Sequence, residues 1–181
     1  VREAETQCQI KSVVREARIR VLGVQEELSE RKEAGYVLGR LYLAGWIQKY
    51  HLEAGDRMAM DYARYYGLTG IPFPSPRTGH LFATKPEPQK DPIDVPPPRV
   101  MSEKERAEAA RAASNKVMAI EGVLGGVDVS GRPVTTSVKR ACLLDQDEGM
   151  YLRHMLRHLV RGLEALVDFY GIEREIESKS A

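Results

Sequence analysis

Arg153, His154, Arg157, His158 and Arg161 fall within a single stretch, MYLRHMLRHLVRGLEALVDFYG, at residues 150–171. At about 100° per residue they share one arc of a helix. Arginine carries a planar fork of N–H donors that matches phosphate oxygens and the O6/N7 edge of guanine. Lys139 and Arg140 lie on the preceding segment and extend the same cationic patch if the intervening turn folds the two segments together. These residues are the candidate nucleic-acid contacts.

Other chemistries find less support. His154 and His158 stand at i and i+4, a spacing suited to two metal ligands on one helix face. HMLRH nevertheless lacks the glutamate of H-E-x-x-H and an obvious third ligand. His51, Glu53 and Asp56 match no standard ligand spacing and are expected to be surface charge. Asp145/Asp147 and Asp56/Asp61 are carboxylate pairs of a kind that any charged surface offers. GGVDVSGRP, at residues 125–133, matches neither the phosphate-cradling loop G-x-x-x-x-G-K-[ST] nor the dinucleotide glycine fingerprint, and is expected to be a turn between helices. There is no G-x-S-x-G and no paired-cysteine motif. The expectation is a non-enzymatic protein with no catalytic residues, no metal and no cofactor.

The elements that must position the arginines are helical throughout. Opposite the basic arc, Leu152, Met155, Leu156, Leu159, Val160, Leu163, Leu166, Val167 and Tyr170 form an apolar arc, and the acids Glu164 and Asp168 follow only after the basic cluster. Residues 3–32 read as one long amphipathic helix, with Ile10, Val13, Val14, Ala17, Val21, Val24 and Leu28 facing a core or a partner helix. YVLGRLYLAGWI and residues 48–66 form a helical hairpin, with Gly45 ending the first helix, Gly67 closing the second and Trp46 packed at the corner. Tyr50, Ala54, Met58, Tyr62 and Tyr65 line one side of that second helix.

Nine of the ten prolines then fall between residues 68 and 100. Proline has no amide donor and a fixed φ, so this stretch is an extended linker or an arm over the helices. Ser102 with Glu105 makes a capping box for a helix carrying Ala109, Ala113, Val117, Ile120 and Leu124 on one side. Gly122, Gly125 and Gly126 should end it. Thr135, Thr136 and Ser137 are candidate caps for VKRACLLD, and the acidic turn DQDEG leads to the basic helix. Short helix, polar turn and longer basic helix is the order of a helix-turn-helix. The chain thus divides into an N-terminal helical region at 1–67, a proline-rich linker at 68–100, a C-terminal helical block at 101–172 and a fraying polar tail at 173–181. The fold class is all-α: two helical blocks joined by the proline-rich linker, the second helix-turn-helix-like.

With 181 residues the chain can bury a real core, and its formal net charge of +1 means that any electrostatic footprint must be local. Two distant cysteines, Cys8 and Cys142, suit a reducing compartment. No apolar run reaches the ~18 residues of a membrane span, and the first residues do not resemble a signal peptide. A cytoplasmic location without membrane association is expected.

LYLAGWIQKYHLEAGDRMAMDYARYYGL resembles a motif of the form L-x-x-A-G-x-I…x-x-E-A-G-x-R-x-x-x-D-Y. A proline-containing gap follows it, and then VKRACLLDQDEG with LRHMLRHLVRGLEALVDFYG. That order is similar to a helical domain of uncertain function in alphaproteobacterial and phage-like proteins, whose relatives include activators of gene transfer agents. The resemblance implies an all-α fold whose last helices bind DNA, with Lys139, Arg140, Arg153, Arg157 and Arg161 as the residues carried over. It implies structural roles for Gly55, Arg57, Asp61 and Tyr62. The expected function is DNA binding or transcription regulation. The alternative is a phage assembly or DNA-packaging adaptor, with the N-terminal helix building a homo-oligomer.

Overall fold

Apolar residues spaced three and four apart produce six α-helices, with no strand among the described residues. They are α1 (Arg2–Arg20), α2 (Val37–Leu43), α3 (Lys49–Thr69), α4 (Glu103–Val127), α5 (Pro133–Cys142) and α6 (Arg153–Tyr170), with two short 3₁₀ turns at Glu26–Leu28 and Lys32–Gly35. The computed structural model describes residues 2–72, 74, 101–147 and 152–174, with side chains from residue 9 onward. Most of the proline-rich stretch, the end of the acidic turn and the last tail residues lie outside the described residues. None of the described helices is long and apolar enough to cross a membrane.

Leu38 and Leu41 of α2, Met58 of α3, Ile120 and Leu124 of α4, Val138 of α5, and Leu159, Leu163 and Leu166 of α6 are fully buried in one cluster. Each such side chain contributes roughly 1.5–3 kcal/mol by leaving water. Helices from both sides of the proline-rich stretch therefore share a single core. The boundary at 68–100 separates two stretches of sequence, not two cores.

Two glycines let the helices approach closely. A Cβ on Gly162 of α6 would lie 2.4 Å from Val138 Cγ2 and 2.9 Å from Val134 Cγ1, so α5 sits directly on that point of α6. A Cβ on Gly55 of α3 would lie 2.3 Å from Leu38 Cδ2 and 3.1 Å from Cys142 Sγ. Around this core, tyrosine hydroxyls donate to carboxylates that link α3 to its neighbours. Tyr36 donates to Asp56 at 3.3 Å, Tyr170 to Asp61 at 2.8 Å, and Tyr62 to Glu121. Burial first, and then the adjacent carboxylate, push all three phenols well above their usual range. Arg57, by contrast, pairs with Glu53 one turn back on the same helix.

Several local expectations are corrected. The N-terminal helix stops at Arg20, not near residue 32, because Gly23 adopts φ +64° and the chain folds back. Arg18 then donates to the carbonyls of Ser29 at 2.7 Å and Arg31 at 3.1 Å, holding the returning segment. This turns Ile10, Val13 and Val21 outward, at 57%, 66% and 79% exposure, rather than into the core. Trp46 at the hairpin corner is 46% exposed, and Ile47 beside it is the buried residue there. α3 continues past Gly67 to a left-handed cap at Gly70. α4 runs through Gly122, Gly125 and Gly126, where open space surrounds the backbone. Its Ser102–Glu105 capping box forms as expected.

The start of α5 is capped by neither of its threonines nor by Ser137. Asp128 accepts from the backbone N–H groups of Val129, Val134 and Thr135 at 2.9–3.0 Å. Burial alone would raise its pKa, but the Thr135 side chain, followed by these backbone hydrogen bonds, prevails and holds it at about 2. Pro133 occupies the first turn, where a missing amide costs nothing.

Candidate nucleic-acid interface

α6 carries the separation of faces that its periodicity implies. Leu159, Gly162, Leu163, Leu166 and Val167 are buried, while Met155, Leu156, Val160 and Tyr170 are half-buried against the core. Leu152 departs from the expected apolar arc: it precedes the helix and is exposed. Arg153, His154, Arg157 and Arg161 are exposed, and His158 is half-buried. Among the described residues, none of these five side chains is tied to a partner. Arg153, Arg157 and Arg161 sit one turn apart, so the stripe rises about 6 Å per step and about 12 Å in all.

Their position along the helix is electrostatically unusual. The N-terminus of an α-helix bears partial positive charge, which disfavours each nearby cation by about 0.3–1 kcal/mol at low salt. α6 begins with Arg153 and His154, has no acid in its first turn and has no side-chain cap at Leu152. In α4 the same position is filled by Glu103 and Glu105, as helix stability favours. The start of α6 is therefore a place where backbone N–H groups and cationic side chains add rather than cancel.

The acidic turn before α6 is used elsewhere. Asp145 Oδ1 accepts the backbone N–H of Val37 at 2.6 Å, supplying the first turn of α2 with the cap that Tyr36 does not provide. Asp147 Oδ2 accepts from Arg40 Nη2 at 3.3 Å. Both carboxylates thus hold the N-terminal hairpin instead of neutralising the arginines. Glu148 lies outside the described residues.

Lys139 and Arg140 are placed differently from the α6 stripe. Lys139 Nζ lies 2.5 Å from a Glu121 carboxylate oxygen, tying α5 to α4 through an acid that also accepts from Tyr62. Arg140 is half-buried, and its carbonyl accepts the N–H of Gln146 at 2.9 Å. The connection from α5 to α6 spans residues 143–152, longer than the three- or four-residue turn of a helix-turn-helix.

His51, expected at the surface, is 4% exposed. Its Nδ1 accepts the backbone N–H of Gln48 at 3.1 Å, so the proton resides on Nε2, which donates to Glu164 Oε1 at 2.9 Å. Burial lowers its pKa and outweighs the opposing pull of Glu164. Glu164 also receives Arg174, which reaches Asp168 as well, so the beginning of the polar tail is held against α6. The sequence signal for this cluster was weak: a histidine in the first turn after Gln48 fits a reciprocal cap, but its partner lies 113 residues away. Cys142 is half-buried, and burial, aided by Asp56, pushes its thiol up to about 12. Among the described residues no group of three His, Cys, Asp or Glu side chains converges as a metal site. The chain matches no family model, no curated protein and no solved structure with which it was compared.

Proposed function

We propose that this is a non-enzymatic DNA-binding or transcription-regulatory protein of bacterial or phage-like origin, contacting duplex DNA through the basic face of α6. The observation that carries the reading is the wrong-sign charge at the start of that helix. Arg153 and His154 occupy the positive end of the dipole, with Arg157 one turn on, and have no acidic partner among the described residues; a phosphate would offset that cost. Arg161 continues the stripe, so the helix would lie along the groove with its N-terminal half nearest the DNA. α5 would serve as the supporting helix of a helix-turn-helix-like pair with a long connection. Lys139 and Arg140 would contribute at the periphery, Lys139 only by leaving Glu121.

The test compares wild type with the Arg153/Arg157/Arg161→Ala variant for binding to a mixed-sequence duplex across a salt series. Each lost phosphate contact should flatten the slope of log K against log salt by roughly 0.9. The variant should melt at the same or a higher temperature, because it removes cations from a positive helix end. Equal binding by both proteins, or no binding by either, overturns the reading.

A second reading rests on a different feature. Ile10, Val13 and Val21 are exposed on α1 and its C-terminal continuation. Such a stripe suits an oligomeric helical component of phage assembly or DNA packaging. Light scattering separates the two, since a ring-sized assembly favours packaging and a monomer or dimer favours regulation.

A further inference from the structure

Arg40 is the least satisfied charged group in the described core. Its side chain is 8% exposed, its one ion-pair contact among the described residues is the 3.3 Å approach to Asp147, and its Nε has no hydrogen-bond partner. A guanidinium has five donors, and leaving the buried Nε–H unused is costly for a charged group. Such a group calls for an explanation in the fold.

Arg40 lines a groove of about 520 Å³ between the returning N-terminal segment and α2. Its apolar walls are Val21, Leu22, Val24, Leu28, Leu43 and Ala44, and Asp147 closes the polar end beside Arg40. A volume of this order, with a row of apolar side chains on one side and the charged Arg40 and Asp147 converging at one end, suits a small amphipathic molecule. Arginine recognises a carboxylate best side-on, through two parallel N–H donors including Nε. Asp147 does not supply that: it makes a single long contact and is itself 46% exposed. It can return to water at little cost when a better-placed carboxylate arrives.

We propose that this groove binds a small monocarboxylate with an apolar body. The carboxylate displaces Asp147 from Nη2 of Arg40 and reaches the shielded Nε only once that acid has withdrawn, while the apolar body lies along Val21, Leu22, Val24, Leu28 and Leu43. Asp147 belongs to the connection that leads into α6, so occupancy also loosens one of the two acidic ties between that connection and α2. The site stands on its own geometry and does not depend on what α6 contacts.

Isothermal titration of the full chain with octanoate tests it, with octanamide as the uncharged control. Wild type should bind octanoate saturably, and octanamide at least tenfold more weakly. Arg40→Met should lose at least tenfold while keeping its melting temperature, because an apolar replacement for a buried, poorly paired charge is tolerated. Asp147→Asn, which weakens the internal competitor, should bind octanoate more tightly than wild type. Absence of saturable binding overturns the proposal. So does equal affinity for octanamide, which would mark a merely apolar groove, or an Asp147→Asn variant that binds no better than wild type.

Discussion

His51 and Glu164, 113 residues apart in the chain, meet at 2.9 Å between Nε2 and Oε1 and join the first turn of α3 to the middle of α6. The imidazole must be neutral to do this and also accept the amide of Gln48 at Nδ1. Its pKa in the fold lies below the ordinary 6.5, chiefly because it is buried. Below pH 6.5 the unfolded chain takes up this proton more readily than the folded one. The stability from neutral His51 is therefore complete above pH 6.5 and is lost as the pH falls below it. Urea unfolding at pH 5 and pH 7.5 should show a larger acid loss in wild type than in His51→Asn, whose amide oxygen still accepts from Gln48 at both values.

Asp128 gives the same sign in a lower window. Its folded pKa of about 2 lies below the ordinary 3.8, so its cap on α5 is complete above pH 3.8 and fades as the pH approaches 2. Asp128→Asn should be less stable than wild type at pH 5, and the gap between their urea midpoints should narrow steadily as the pH falls from 3.8 towards 2.

Glycines divide into two classes with opposite outcomes. Gly162→Ala places a methyl 2.4 Å from Val138 Cγ2, and forcing α5 away from α6 should cost about 1–3 kcal/mol. Gly125→Ala adds a methyl to open space on a helix and should stabilise by about 0.4–1 kcal/mol. Thermal melting of the two variants should move in opposite directions.

Asp145 acts as a cap across 108 residues of sequence. Asp145→Ala leaves the Val37 amide without its acceptor and also puts alanine at φ 48°, so it should cost at least about 0.5–2 kcal/mol, the range for removing a helix cap. Asp145→Asn keeps the acceptor and should recover most of that loss. Chemical denaturation of the pair checks the assignment; equal losses would mean that the charge, not the hydrogen bond, matters.

Local periodicity was enough to find α3, α4 and α6, because a helix with one buried face repeats its apolar residues every three or four positions whatever it packs against. Ala54, Met58 and Tyr62 on α3, and Val117, Ile120 and Leu124 on α4, are buried as that repeat requires. The arginine stripe of α6 was legible for the same reason: it is the remainder of the arc that the core does not take. α1 shows where this logic stops. Its apolar residues have the right spacing, but Arg15 pairs with Glu26 and Arg18 with the carbonyls of Ser29 and Arg31, so the basic side turns inward.

By itself, then, the sequence determined the helices, the capping box at Ser102 and the opposed faces of α6, since each depends on residues within a few positions of one another. Only the tertiary structure decided that both sides of the proline-rich stretch share a core, that His51 is buried, and that Asp145 and Asp147 serve α2 and Arg40 rather than the arginines of α6. Those pairings join groups more than a hundred residues apart. Spacing along the chain carries no record of which distant surface a side chain will meet, and that choice is made by packing.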